Sequence, residues 1–417
     1  MKKQINKSLG HVNKCQICKS NDLKLILSLG HHPVPQEYLT SKMLHEQEIT
    51  YPLNVVFCDK CKLVQLDYII DPKIVFPPQY PYRTGLTKML INNFQSLSDN
   101  LLKLGYLKQK SLVVDIGSND GTLLKPFKEK GMKVVGVEPT GAAKVANANG
   151  IPTIQDFLSK KVVASIIKKY GHADVVTATN VFAHINDTST LVKNIKNLMT
   201  KDGVFVSESQ YLLDIIEKVE FDTIYHEHLR FYSLKPIKTM LEKEDLSIVD
   251  AERISAAGGS IRVYAKKGKH LMSERALSII SEEEKAGLYD FASYQNFAKR
   301  ISGAKYELVS LLLKLKKDGS RIVGITSSCR SNTLLSFMKI TDDILDYTGE
   351  KSGSPKIGMY TPGTHIPVVD EEKIIHEQPE YLLILSWHIG KDLIEVMRKK
   401  GYKGKFILPL PVPTIVD

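Results

Sequence analysis

Val113-Val114-Asp115-Ile116-Gly117-Ser118-Asn119-Asp120-Gly121-Thr122-Leu123-Leu124 reads as an apolar strand entering a glycine-containing turn and then a helix. At the carboxyl end of a parallel strand, such a turn is where a nucleotide-like ligand sits. The stretch lacks Gly-x-Gly-x-x-Gly and no Gly-Lys-Ser/Thr follows, so it is neither the dinucleotide fingerprint nor a phosphate loop. Pyrophosphate binding at this turn is therefore disfavoured. About twenty residues further on, Val135-Gly136-Val137-Glu138 ends the next strand with a carboxylate, the position that accepts hydrogen bonds from ribose hydroxyls. Asp115 and Asp120 make the loop acidic, which suits a ligand carrying positive charge. S-adenosylmethionine, with a cationic sulfonium and amino group, fits that description.

Working outward, continuous apolar runs at Leu112 to Ile116, Val134 to Val137, Val175 to Ala178 and Val204 to Val206 are separated by helix-length intervals. Strands buried on both faces read this way and predict a doubly wound, largely parallel α/β sheet. An amphipathic helix from Leu86 to Leu107 precedes it. A helix near Ile237 to Glu244, a strand near Leu246 to Asp250 and Gly258-Gly259-Ser260 leading into Ile261 to Ala265 follow. A long helical region from Ser273 to Lys316 and strands at Arg321 to Ile325, Tyr381 to Ser386 and Phe406 to Leu410 predict a second, smaller α/β domain. Three domains result: residues 1–70, 71–255 and 256–417, with the proline-rich stretch 71–87 as a stiff connector.

The first domain is defined by Cys15-Gln-Ile-Cys18 and Cys58-Asp-Lys-Cys61. Two Cys-x-x-Cys pairs offer four thiolates to one tetrahedral zinc ion, the closed set of a structural site. Two disulfides or a redox pair are the competing readings; a reducing cytosol opposes the first, and no strand-helix unit frames the second. Cys329 stands alone downstream as a small buried or loop residue.

The chain has 417 residues, 43% hydrophobic and 25% charged, and no run reaches the length of a membrane span. A polar start without the apolar core of a signal peptide reads as cytoplasmic. The net charge of +11 comes mainly from lysines dispersed along helix-like segments with few interleaved aromatics. This describes a solvated surface better than a nucleic-acid face.

Tyr225-His226-Glu227-His228 concentrates four proton-handling side chains. The histidines are two apart, so a helix would not present both to one metal. On an extended segment they would share one face with Glu227 on the other.

Taken in order, the paired cysteines, Tyr80-Pro81-Tyr82, Asp115 to Gly121, Asn180-Val181-Phe182-Ala183-His184, Phe221 to His228, Gly258-Gly259-Ser260-Ile261-Arg262 and Pro362-Gly363-Thr364-His365-Ile366-Pro367 resemble the sugar C-methyltransferases of deoxysugar biosynthesis. The resemblance covers nearly the whole chain. It implies a zinc-binding N-terminal domain, a class I methyltransferase core using S-adenosylmethionine, and a C-terminal α/β domain that helps bind a nucleotide-linked 4-keto-6-deoxyhexose. Methylating a carbon beside a ketone requires a base and stabilisation of the enolate oxygen. The resemblance makes His228 the base, with Tyr225 and Glu227 orienting it or bonding the sugar, His184 serving the enolate, and Tyr80 or Tyr82 reaching in from the connector. Gly117, Asn119, Gly121, Glu138 and Pro139 join Asp115 around the cofactor, Asn180 and Phe182 line it, and Asp156 and Phe157 meet the adenine. Gly258, Gly259 and Arg262 bring backbone and a cation to the diphosphate, and Ser260, Asn332 and His365 complete the substrate side.

Two departures from the family pattern fall on that side. Ala257 replaces a histidine, and Thr326-Ser327-Ser328-Cys329-Arg330-Ser331-Asn332-Thr333 replaces a Gly-Ala/Ser-Pro-Ala-Lys-Gly-Asn-Thr-like loop, with Arg330 expected to take over a cationic role. The nucleobase of the dTDP, GDP, UDP or CDP sugar stays open, and a monomer or weak oligomer is expected. An RNA or other small-molecule methyltransferase and a non-catalytic scaffold are the alternatives.

Overall fold

The computed structural model describes residues 9–77, 83–86 and 88–417. A seven-stranded sheet forms its centre, in the order 246–254, 260–267, 199–210, 173–179, 112–116, 133–137, 153–154. Strand Ser260–Lys267 runs antiparallel between two neighbours, while Leu112–Ile116, Lys133–Val137, Thr153–Ile154, Ala173–Thr179 and Met199–Gln210 are parallel to one another. Both faces are covered. Leu112, Val114 and Ile116 join one apolar cluster, whereas Val113 joins another with Leu90, Phe94, Leu97 and Leu101. Those four lie three or four residues apart on helix Lys88–Lys103, the amphipathic helix expected before the sheet.

Strand order reverses between Leu112–Ile116 and Ala173–Thr179, so the crevice at their carboxyl ends is the place for a ligand. Strands Leu246–Ile254 and Ser260–Lys267, on either side of the division expected at 255/256, are hydrogen-bonded to each other in this sheet.

The C-terminal sheet has the order 368–370, 348–350, 322–325, 381–384, 405–408, 414–416 and is parallel except for its last strand. The expected long helical region is two helices, Glu274–Lys285 and Phe291–Lys317, divided where Gly287 adopts φ +73°. Tyr294, Phe297, Ile301, Ala304, Leu308, Leu312 and Leu315 form the buried stripe of the longer one. Phe57 of the N-terminal module packs on it, 4.9 Å from Tyr294 between ring centroids.

That module is a four-stranded antiparallel sheet in the order 230–231, 64–66, 51–58, 23–32. Strand Arg230–Phe231 comes from the central part of the chain, one residue after Tyr225-His226-Glu227-His228. One apolar cluster consequently runs from Cys15 to Leu410 through all three regions.

Candidate active site and zinc site

Cys15, Cys18, Cys58 and Cys61 converge with all four Sγ atoms within 4.8 Å of one another. Sγ separations of 3.4 Å for Cys15 and Cys61 and 3.5 Å for Cys18 and Cys58 approach the ~3.8 Å edge of a tetrahedron with 2.3 Å zinc–sulfur bonds. A hydrogen bond from Cys61 pulls the Cys15 thiol down to about 5, towards the thiolate a metal needs. The donor set fits Zn2+ and leaves no open coordination position, so the site is structural.

At the cofactor turn, Gly117 adopts φ +69° with Val181 so close that a Cβ would lie 2.6 Å from its Cγ2, and Gly121 adopts φ +81° against Ile151. Both positions demand glycine. Glu138 is 5% exposed and accepts from the backbone N–H groups of Asn119 at 3.0 Å and Thr140 at 2.8 Å. A carboxylate has about four lone-pair sites, so these bonds fix it while leaving capacity for ribose hydroxyls. Pro139 follows it at the strand end, and the Phe157 ring lies exposed beside Asp156 after strand Thr153–Ile154. Asn180, at φ +56°, ends strand Ala173–Thr179. The crevice fits S-adenosylmethionine.

Three residues expected at the cofactor have partners within the chain. Asp115 is buried and accepts from Thr177 Oγ1 at 2.6 Å, and burial pushes its carboxyl up to about 8. Asp120 is turned to the connector, accepting from Gly85 N at 2.9 Å, while Asn119 Oδ1 accepts from Thr84 N at 3.1 Å. Phe182, at 2% exposure, packs edge-on against Phe205 inside the core rather than lining the crevice.

Tyr225-His226-Glu227-His228 is a turn and not an extended segment, closed by His228 N donating to Tyr225 O at 2.9 Å. The turn brings its two ends together and parts the two histidines. Tyr225 and His228 lie 4.2 Å apart between ring centroids, with His184 5.0 Å from His228 and Phe76 5.4 Å from His184. His226 points to the zinc module, where its Nε2 donates to Pro52 O at 3.2 Å.

Protonation follows from the partners. His228 Nδ1 lies 2.7 Å from Thr223 O, and a carbonyl only accepts, so Nδ1 carries the hydrogen and Nε2 keeps its lone pair. Burial, followed by the nearby His184, pushes the His228 imidazole down to about 3, so it is neutral at pH 7. His184 is arranged alike: Nδ1 donates to Glu227 O at 2.8 Å, and burial lowers it to about 4. Its Nε2 is then left as an acceptor.

Glu227 is buried, with Cys329 Sγ 3.5 Å from its Oε1. Sequence reasoning gave neither Cys329 nor Phe76 a place here; the former enters from a helix a hundred residues downstream. Tyr80 and Tyr82 lie outside the described residues.

The substrate-side residues are largely engaged elsewhere. Arg262, 1% exposed, pairs with Glu208 at 2.6 Å and Glu252 at 3.0 Å and donates to Asn93 at 2.8 Å. Gly259, at φ +142°, is pressed against Asp214, and Ser260 Oγ donates to Ala256 O at 2.9 Å. Gly258 lies against Glu220 and Arg330. Arg330, expected to take a cationic role towards the substrate, is buried between Asp222 and Glu220 and paired with both. Asn332 donates to Pro35 O at 2.7 Å, and exposed His365 lies 3.1 Å from Glu48; both join the C-terminal domain to the N-terminal module.

Comparison with known proteins covers nearly the whole chain. Residues 15–76 match a zinc binding domain, 89–251 a methyltransferase domain and 255–411 a C-methyltransferase C-terminal domain. C-methyltransferase NovU of Streptomyces niveus is 29% identical over 412 residues, 97% of each chain. A ubiquinone biosynthesis O-methyltransferase of Actinobacillus pleuropneumoniae is 29% identical over 122 residues, 25% of this chain and 50% of that one. Among solved structures, the magnesium protoporphyrin IX methyltransferase of Synechocystis with bound S-adenosylmethionine shares 16% identity at a TM-score of 0.36, covering 48% of this chain and 99% of that one. The three domain models lie in order over the zinc cysteines, the cofactor crevice and the C-terminal sheet, and with the full-length likeness to a C-methyltransferase they identify the chain as similar to S-adenosylmethionine-dependent C-methyltransferases throughout.

Proposed function

We propose that the protein methylates a ring carbon, C3, of a nucleotide-linked 4-keto-6-deoxysugar, with His228 as the base. The observation that carries this reading is the Nδ1–H bond to Thr223 O, which leaves a neutral, buried Nε2 lone pair beside Tyr225 and His184. S-adenosylmethionine, when bound, supplies an electrophilic methyl group. His228 Nε2 removes the proton on the carbon next to the ketone, and the C–H electron pair passes into the enolate. Tyr225 donates a hydrogen bond to the developing oxyanion, while His184 Nε2 accepts from a sugar hydroxyl. Glu227, from the same turn, orients the sugar. A carbon nucleophile results without any open metal position, in keeping with a zinc site closed by four thiolates.

Methyl-labelled S-adenosylmethionine and a panel of nucleotide 4-keto-6-deoxysugars test the reading. Label is expected on a ring carbon; label on oxygen or nitrogen would refute it. His228→Asn is expected to lose turnover by about 10²–10⁴-fold, the usual size of a general-base contribution. Calorimetry should find its affinity for S-adenosylmethionine nearly unchanged.

A further inference from the structure

The turn that orients the base is itself clamped. Thr223, whose carbonyl accepts from His228 Nδ1, ends the 3-10 turn Phe221–Thr223. Its neighbour Asp222 is fully buried and engaged by two elements of the C-terminal domain. Arg330 Nε and Nη2 donate to its two oxygens at 3.0 and 2.8 Å, and Trp387 Nε1 donates to Oδ2 at 2.9 Å. Glu220 lies 3.2 Å from Arg330 Nη1, and the Trp387 ring centroid is 5.5 Å from the guanidinium carbon. Arg330 belongs to the first turn of helix Cys329–Met338, whose opening residue also places its thiol against Glu227. Consecutive residues of one helix thus reach the segment at two points ahead of the base, at Asp222 and at Glu227.

We propose that Asp222, Arg330 and Trp387 are positioning residues, which fix the turn 221–223 so that the Thr223 carbonyl holds His228 Nδ1–H and Nε2 is left to accept the substrate proton. This rests on His228 being the base. The direction of a carbonyl is set by its peptide plane, and a two-pronged guanidinium–carboxylate pair constrains that plane in a way a point charge does not. If the turn rotates, the 2.7 Å bond is lost. A buried neutral imidazole without that acceptor can take the other tautomer, whose protonated Nε2 cannot act as a base. The arginine that replaces the family's lysine is, on this account, part of the machinery for orienting the base.

Arg330→Met, Arg330→Lys and Asp222→Asn in the full-length, zinc-loaded chain test the inference. Long-range 1H–15N spectra of histidine-labelled protein report the His228 tautomer without any turnover. Wild type is expected to show the Nδ1–H form. Arg330→Met and Asp222→Asn are expected to mix or invert the tautomers and to lower kcat by about 10–100-fold, as small misplacements of catalytic groups do. KM for S-adenosylmethionine is expected to stay within about twofold. If Arg330→Met does not fold, Arg330→Lys, which keeps the charge but not the fork, decides by the same readouts. An unchanged tautomer or an unchanged kcat in a folded variant overturns the proposal. Turnover by His228→Asn would instead overturn the base assignment, so the two failures are distinguishable.

Discussion

At the scale of single residues, the buried cations carry the clearest lesson. Arg262 on a strand and Arg330 in a loop-like sequence were natural partners for a diphosphate, because sequence shows which charges exist and not what neutralises them. Each proves to be surrounded by carboxylates of its own chain. Removing one member of a buried pair leaves the other charge uncompensated. Arg262→Met is therefore expected to destabilise the protein by about 3–5 kcal/mol through the buried Glu208, read as a lower midpoint in urea. Unchanged stability with a raised KM for the nucleotide sugar would restore the diphosphate role. His228, His184, Tyr225 and Glu227 were legible as a group, since their motif order survives in the sequence. Asp222 stood within the same motif with no sign of its partners, because Arg330 and Trp387 are more than a hundred residues away.

At the scale of elements, strands of continuous apolar residues were readable, and the cofactor turn was readable from its flanking strand and helix. The His-Glu-His alternation misled. Period-two spacing imitates a strand, but the Tyr225 carbonyl accepts from His228 N and closes a turn. Helix ends were also blurred: the break at Gly287 lies inside a helical composition, and one glycine does not announce its φ. Where close packing and a positive φ coincide, glycine becomes testable. Gly259→Ala would set a Cβ 2.2 Å from the Asp214 carboxyl carbon at φ +142°. A loss of about 2–4 kcal/mol is expected, beyond the 1–3 kcal/mol of backbone strain alone. Thermal unfolding of the variant, with a Tm equal to wild type as the contrary result, checks this.

At the scale of the whole molecule, charge state ties the regions together. Burial lowers His32, His184 and His226 to about 4 and His228 and His388 to about 3, so the fold needs them neutral. Their unfolded values stay near 6.5, so the unfolded chain binds their protons first as pH falls, and stability drops from about pH 6.5 towards 4. Asp115, Glu220 and Glu283 are raised by burial and act in the opposite sense over that window, but the histidines outnumber them. The net loss should approach about 1.4 kcal/mol per pH unit for each uncompensated proton, steepest between pH 6 and 4.5. Urea midpoints measured across that range test it, and a flat profile would contradict the neutral, buried histidines.

The strand Arg230–Phe231, which completes the sheet of the zinc module, has a bearing on how the chain is made. Its partners Val64 and Gln65 are synthesised some 165 residues earlier. At a ribosomal pace of about 5–20 residues per second, the nascent module waits roughly ten seconds or more with an unpaired sheet edge. Thiolate capture of zinc during that interval would hold the edge in shape until Arg230–Phe231 emerges to close it.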